Sequence, residues 1–310
     1  MFVINHRNIF FAISGILVLA SIVAIAFFGL RPSVDFTGGS IIEVRFEGTT
    51  PDTATVATVL AEAGFENSLV RLTAQTGETD GGGLSIRTRA LTEGDRGTLV
   101  GALTTLAGTT TIDRLSSVGP TVGEELRRKT MIAVVLVVLM IILYIAYTFR
   151  KVAKPISSWM YGVVAIVTLL HDVIIPAGVF AVLGRFAGFE ADTLFVVALL
   201  TILGISVNDT IVVFDRIREN LAREGDAAVH HSFAEIVGKS LEQSYTRSFN
   251  TSFTIILVLL ILFFLGGPTI HTFMLTLLVG QVAGTYSSIF LASPLLVVIA
   301  NRKLKKAVKK

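Results

Sequence analysis

The sequence predicts a polytopic α-helical membrane protein: six transmembrane helices with a ferredoxin-like α+β (βαββαβ) extracytoplasmic domain between helices 1 and 2. Three observations predict it. Of 310 residues, 52% are hydrophobic and only 16% charged, against roughly 25% charged in an ordinary soluble domain, and mean hydropathy is +0.74. Charge-free runs long enough to cross ~30 Å of hydrocarbon at ~1.5 Å per residue recur along the chain. Between the first two of these runs, Arg31–Lys129 carries the periodicity and turn chemistry of a folded domain in water.

Residues 1–30 are read as a cytoplasmic N-terminus and the first helix. No charge appears from Asn8 to Leu30, a run too long for a signal peptide, so a retained anchor is expected in spite of Ala24-Ile25-Ala26. Residues 31–129 form the outer domain, with net charge −3. Within it, Ser40–Phe46 alternates as a strand. Thr50-Pro51-Asp52 opens a helix to about Ala63, with Thr50 as cap and Pro51 at the first helical position. Asn67–Thr73 reads as a second strand, Gly77–Gly83 as a turn and Leu84–Thr88 as a third strand. Thr92-Glu93-Gly94-Asp95 caps a helix to about Ala107, and Thr109–Leu115 is the last strand. The order βαββαβ is the split-βαβ arrangement. No phosphate cradle and no catalytic constellation occurs in it, so a binding or coupling module is expected rather than an enzyme.

Residues 130–300 hold the other five helices. Thr130–Phe149, Pro155–Gly184 and Thr193–Phe214 are the second to fourth spans. Gly266-Gly267-Pro268 divides the remaining apolar stretch into a fifth span, about Ser248–Leu265, and a sixth, about His271–Ala300. The cytoplasmic loop 215–247 is amphipathic: Phe214, Ile217 and Leu221 share a face, Gly225-Asp226 breaks the helix, and Ser232-Phe233-Ala234-Glu235 has the form of a capping box. It reads as two interfacial helices or as a docking surface. Residues 301–310 are a basic cytoplasmic tail suited to the anionic inner leaflet. With the N-terminus inside, the cytoplasmic segments hold fifteen Lys and Arg and the short outer loops one, Arg185. This is the positive-inside pattern; Arg127-Arg128-Lys129 depart from it next to a long translocated domain, which escapes the rule. Both termini are expected inside.

Several chemistries are excluded. A net charge of +3, segregated by position, does not indicate nucleic acid. There are no cysteines, hence no disulfides, Cys-ligated zinc or thiol chemistry, and the five histidines form no zinc-protease motif. Gly238-Lys239-Ser240 ends like a nucleotide-binding loop but lacks its first glycine, Phe233 standing there. No metal or cofactor is expected. Gly280-xxx-Gly284 suits close helix packing, and with Gln281, Thr285, Tyr286, Ser287 and Ser288 it makes the sixth span polar enough to lie inside a bundle.

Asp209 is the main candidate for chemistry. A carboxylate inside a span is costly, so it faces a cavity or a cation and marks an ion or proton path. Arg247 opens the fifth span in the same leaflet, so the two can pair. Arginine keeps its proton and cannot relay one. It can hold Asp209 when near and free it on moving away, or the pair can simply staple two helices; the residues leave both open. His171 and Asp172 fall in the outer half of the third span. Neighbouring helical residues point ~100° apart, so both cannot face one groove equally. Histidine suits a proton path inward, or a neighbouring helix satisfies it.

Longer motifs carry a family resemblance. Val34-Asp35-Phe36-Thr37-Gly38-Gly39 follows the first span, and Val118-Gly119-Pro120-Thr121-Val122-Gly123-Glu124-Glu125-Leu126 precedes the second. His171-Asp172-Val173 lies in the third, and Asn208-Asp209-Thr210 runs on through Asp215-Arg216 to Asn220 at the end of the fourth. Together these resemble the SecD/SecF family of bacterial protein export, within the resistance–nodulation–division superfamily, and in it the smaller partner, SecF, over nearly the whole chain. The resemblance implies assembly with SecD at the SecYEG channel in the inner membrane, and use of the proton motive force to pull preproteins outward after the ATP-driven SecA step. Protons would be the coupling ion, with no other cofactor. It implies proton coupling by Asp209 and, through Gln243-Ser244-Tyr245-Thr246-Arg247-Ser248, by Arg247. Transporters of this kind place their site between two repeats; with one bundle here, a partner is expected to supply the other. A small-molecule or lipid exporter of the same superfamily and a passive scaffold are the competing readings.

Overall fold

The computed structural model describes residues 1–46, 50–73, 83–107, 110–149, 158–224 and 232–308. Most of the turn expected at Gly77–Gly83, the basic loop Arg150–Lys154, the expected start of the third span at Pro155, the expected strand start at Thr109 and the helix break at Gly225-Asp226 lie outside them. Six helices are long and apolar enough to cross a membrane, so this is a multi-pass membrane protein. The chain divides into two units. The membrane unit is Met1–Arg31, Ala133–Phe189 and Leu194–Lys310; the outer unit is Pro32–Ile132 together with Glu190–Thr193.

In the outer unit a short helix, α3 (Val34–Thr37), leads into β1 (Gly39–Phe46). Then follow α4 (Thr53–Glu62), β2 (Leu69–Thr73), β3 (Gly83–Thr88), α5 (Glu93–Ala107) and β4 (Thr110–Val118). The strands form one antiparallel sheet in the order β2-β3-β1-β4, as βαββαβ connectivity requires when β3 returns between β1 and β2. Alternation in β1 turns Ile42, Val44 and Phe46 to one face, where Leu84 and Ile86 of β3 join Val56 and Leu60 of α4 and Leu99 and Leu103 of α5. Leu60 is fully buried, so Leu60→Ala is expected to destabilise this unit by about 2–5 kcal/mol, measured as a lower unfolding midpoint of the full-length protein in detergent.

Several element ends differ from the sequence reading. β1 and β3 each open one residue earlier, and β2 opens at Leu69 rather than Asn67, whose φ of +61° lies outside the strand region. The helix after β1 is capped by Asp52, not Thr50: the Asp52 carboxylate accepts from the Ala54 amide at 3.3 Å, so Pro51 stands before the cap. β4 runs three residues further, to Val118, because Ser116, Ser117 and Val118 pair with Ile41, Ser40 and Gly39. The cap of α5 is as expected. The Asp95 amide donates to Thr92 Oγ1 at 3.3 Å and the Thr92 amide to Asp95 Oδ2 at 2.9 Å. Arg89 adds a two-pronged contact to Asp95 at 2.8 and 2.9 Å. The Arg89 contact first, then the bonds from Thr92, hold the Asp95 carboxyl well below the usual carboxylate range. A depressed folded pKa contributes stability that is present above the unfolded value, ~3.9, and is lost as pH falls through the folded one. Asp95→Asn is therefore expected to unfold earlier than wild type at neutral pH, with the difference closing in acid; midpoints taken from pH 7 downward check it.

A short helix, α1 (Phe2–Asn5), precedes the spans, which are α2 (Arg7–Phe28), α6 (Pro120–Thr148), α7 (Ser158–Phe186), α8 (Thr193–Glu224), α9 (Phe233–Leu265), and α10 (Pro268–Tyr286) continued through a π-helical turn, Ser287–Ala292, into α11 (Ser293–Val308). The two interfacial helices expected in 215–247 are instead extensions of α8 and α9. No Pro or Gly falls between Asp215 and Glu224, and beyond the Ser232–Glu235 capping box Gly238 alone interrupts the good helix formers before the span begins. The third and sixth spans are 61% buried, the second 6% and the fifth 17%, so α7 and α10–α11 form the centre of the bundle. Gly280 and Gly284 do pack closely. A Cβ on Gly280 would overlap Ile202 of α8, and one on Gly284 would stand 3.3 Å from Ser206 Cβ. Gly178 of α7 meets Ser21 of α2 in the same way.

Candidate functional site

The close approach of α10 to α8 at Gly280 and Gly284 brings a polar cluster together inside the membrane unit. Asp172, fully buried on α7, lies at the middle of that helix rather than in its outer half. Its Oδ2 accepts from Ser206 Oγ of α8 and from Ser287 Oγ at 2.7 Å, and its Oδ1 lies 2.8 Å from His171 Nδ1. His171 and Asp172 thus meet each other directly although they are sequence neighbours. His171 is 3% exposed. Its ring stacks on that of Tyr286 at 6.1 Å between centroids, and Tyr286 donates to the Phe10 carbonyl of α2 at 2.9 Å. Next along the sixth span, Ser288 bonds Thr210 of α8 at 3.0 Å. Adjacent residues of an α-helix point ~100° apart. The wider π-helical turn lets Ser287 and Ser288 both face inward, and both are buried. Such turns recur at functional positions.

Asp209 follows Ser206 by about one turn of α8 and is 7% exposed. Among the described residues no hydrogen bond or ion pair reaches its carboxylate, and Asp172 is near enough for the two charges to interact. Arg247 lies on an exposed face of α9, and no ion pair joins it to Asp209 among the described residues. The level of Arg247 follows from the contacts between the end of α8 and the start of α9. Asn220 Nδ2 donates to Ser240 Oγ at 2.8 Å and to Gln243 Oε1 at 2.9 Å, and Arg216 Nε to the same oxygen at 2.7 Å. Carried along two antiparallel helices, those contacts put Arg247 opposite residues 212–216, about one to two turns (~5–10 Å) beyond Asp209 along α8. Asn208 is exposed, and Asp215 pairs with Arg218. No cluster of His, Cys, Asp or Glu suited to a metal occurs among the described residues.

The glycine motifs sit in the outer unit. Gly38 and Gly39 have φ +73° and +118°; a Cβ on Gly38 would stand 2.8 Å from Pro120 Cα, and one on Gly39 2.8 Å from the Thr88 carbonyl oxygen. Gly123 closes the same contact, its Cβ position 2.9 Å from the Gly38 nitrogen, whereas the Gly119 position is open. The two motifs therefore lock the chain's entry into the domain against its exit. Asp35 accepts from the Thr193 amide and hydroxyl, each at 3.0 Å, at the first residue of α8. Arg87 reaches Glu190 at 3.2 Å and Thr37 Oγ1 at 2.7 Å. Ser206, Ser287 and Ser288 were not singled out as site residues by sequence reasoning. The polarity of the sixth span was the available signal for the last two.

Six apolar helices, a buried polar cluster among α7, α8 and the sixth span, and a separate α+β unit define a multi-pass membrane protein. The family model for the C-terminal part of the protein export membrane proteins SecD/SecF matches residues 99–302, and the SecD/SecF GG motif matches residues 23–50. The chain belongs to the SecD/SecF family. It is 43% identical over 307 residues to the protein translocase subunit SecF of Thermobaculum terrenum, covering 97% of this chain and 94% of that one. To the subunit of the same name from Anaerolinea thermophila it is 36% identical over 301 residues, 96% and 93% of the two chains. Its fold matches a crystal structure of SecDF, a translocon-associated membrane protein, from Thermus, with TM-score 0.81 and 32% identity over 96% of this chain. A second SecDF crystal structure, in a super-membrane-facing form, matches with TM-score 0.67 and 33% identity over 99% of this chain. The chain spans 38% and 40% of those longer SecDF chains.

Proposed function

We propose that this chain is the SecF-like subunit of a preprotein translocase accessory complex in the bacterial inner membrane, with both termini cytoplasmic. Paired with SecD, it uses the proton motive force to drive late steps of export through SecYEG, after the ATP-driven step of SecA. The observation that carries the reading is Asp209, an acid buried inside the bundle with no donor to hold it among the described residues, in a chain whose curated relatives are translocase subunits. A carboxylate so placed exchanges a proton at a cost the membrane otherwise forbids. Arg247 stands about one to two turns away on an exposed face, where movement against SecD brings it to Asp209 or withdraws it. His171 and Asp172 form the approach from mid-span. Segregation of Lys and Arg supports the orientation.

The test is preprotein translocation into inverted vesicles containing SecD, with and without a proton gradient, for wild type and Asp209→Asn. Gradient-dependent stimulation in wild type alone supports the reading. Equal stimulation in both overturns it. Efflux of small molecules or lipid with protein export unchanged would favour an exporter instead.

A further inference from the structure

Resting on the proton-coupling reading of Asp209, we infer that His171 and Asp172 divide a proton relay between them: Nε2 of His171 takes and releases the proton, while Asp172, fixed by Ser206 and Ser287, orients the ring. Hydrogen-bond inventory separates the two roles. Asp172 has its Oδ2 occupied by two hydroxyl donors and its Oδ1 by His171 Nδ1 at 2.8 Å. A carboxylate accepts and does not donate, so Nδ1 carries the hydrogen of that contact. Protonating Asp172 would neutralise the acceptor of all three of these hydrogen bonds and weaken each of them. His171 Nε2 is buried and has no hydrogen-bond partner among the described residues, so loading there displaces nothing.

The step balances simply. An N–H bond forms at Nε2 as an O–H bond of a hydronium ion breaks and water leaves; release reverses both. The Nδ1–H bond stays in place throughout, and the imidazolium charge is offset by Asp172 at hydrogen-bond distance, as in a His–Asp pair that fixes a tautomer. The titratable groups that face the dyad are Asp209 from α8 and Tyr286 from α10. α2, which reaches Tyr286 through Phe10 and Ser14, has no titratable side chain from Asn8 to Leu30. Ser287 has a second acceptor, the Gly284 carbonyl at 3.1 Å, and Ser206 stands about one turn before Asp209 on α8. Both serines therefore act as positioning residues beside the acid that the relay serves.

Nitrogen NMR of the full-length protein carrying ¹⁵N-imidazole histidine, with SecD present, tests this without reference to export. The His171 signals are assigned by their loss in His171→Gln. The expected result is a neutral ring protonated on Nδ1, and a shift towards Nε2–H in Asp172→Asn and in the Ser206→Ala/Ser287→Ala double variant. An Nε2–H tautomer in wild type, or a tautomer unmoved by both variants, overturns the assignment. In the vesicle assay, His171→Gln is expected to lose the gradient-dependent stimulation while keeping ATP-driven export and a wild-type unfolding midpoint. Full stimulation in His171→Gln, with wild type stimulated and Asp209→Asn not, contradicts the relay and leaves the role of Asp209 standing. A wild type without stimulation contradicts the proposed function itself, whatever the tautomer.

Discussion

Asp209→Asn is expected to abolish the gradient-dependent part of preprotein export and to leave the ATP-driven part at its wild-type level. The substitution keeps the volume and most of the polarity of the side chain, so helix packing around this 7% exposed position survives. What disappears is the capacity to bind and release a proton. An amide does neither near neutral pH, and Asp209 has no partial substitute nearby on its own helix: Ser206 and Thr210 are hydroxyls already bonded to Asp172 and Ser288. Asp209→Glu restores the acid one methylene further out and is expected to recover part of the stimulation. Wild-type stimulation in Asp209→Asn, with subunit levels unchanged, would remove the carboxylate from the mechanism.

The largest loss of stability is expected from Gly39→Val. At φ +118° a β-branched residue is strained, typically by about 1–3 kcal/mol. Its Cβ would also stand 2.8 Å from the Thr88 carbonyl oxygen, inside a sheet whose register cannot shift without turning Ile42 and Val44 out of the core, and overpacking adds about 1–3 kcal/mol. The sum, about 2–6 kcal/mol, is a large share of a domain's whole stability. Gly119→Ala is the control. It lies in the partner motif, with open space around its Cβ and an ordinary φ, and is expected to change stability by less than about 0.5 kcal/mol. Unfolding midpoints and protease resistance of the two full-length variants check the contrast; equal effects would mean that the glycines are not there for close approach.

Much of the fold was legible because local signals agree with the global one. Long apolar runs nearly free of charge marked all six spans, and alternation in Ser40–Phe46 and Leu84–Thr88 found the central strands of the sheet. The misplaced helix start at Thr50 arose from a competition that sequence does not settle: Pro51 is well suited to the first helical position, but the Asp52 side chain reaches the Ala54 amide and sets the cap. The amphipathic faces read in Asp215–Arg247 are real, yet nothing in the sequence says whether such a helix is separate or the continuation of a span. In the site, Asp209 and Asp172 stand out because acids are rare in spans. Ser206 does not, since serine is common in membrane helices and its contact with Asp172 depends on a helix 34 residues away. The π-helical turn escaped for a similar reason. A 3.6-residue period places Ser287 and Ser288 on different faces, and only the structure shows both turned inward. Asp35 was visible as a motif residue, but its bond to Thr193, 158 residues on, has no local signature.

On the proposed function, proton movement at Asp209 does mechanical work on a preprotein once ATP-driven movement has ceased. The most direct measurement arrests a preprotein partway through the channel of inverted vesicles by removing ATP, imposes a proton gradient, and follows the protected length of the chain. Wild-type vesicles should carry the arrested chain forward, and vesicles with Asp209→Asn should leave it where it stopped. Forward movement of equal rate and extent in Asp209→Asn would contradict the account.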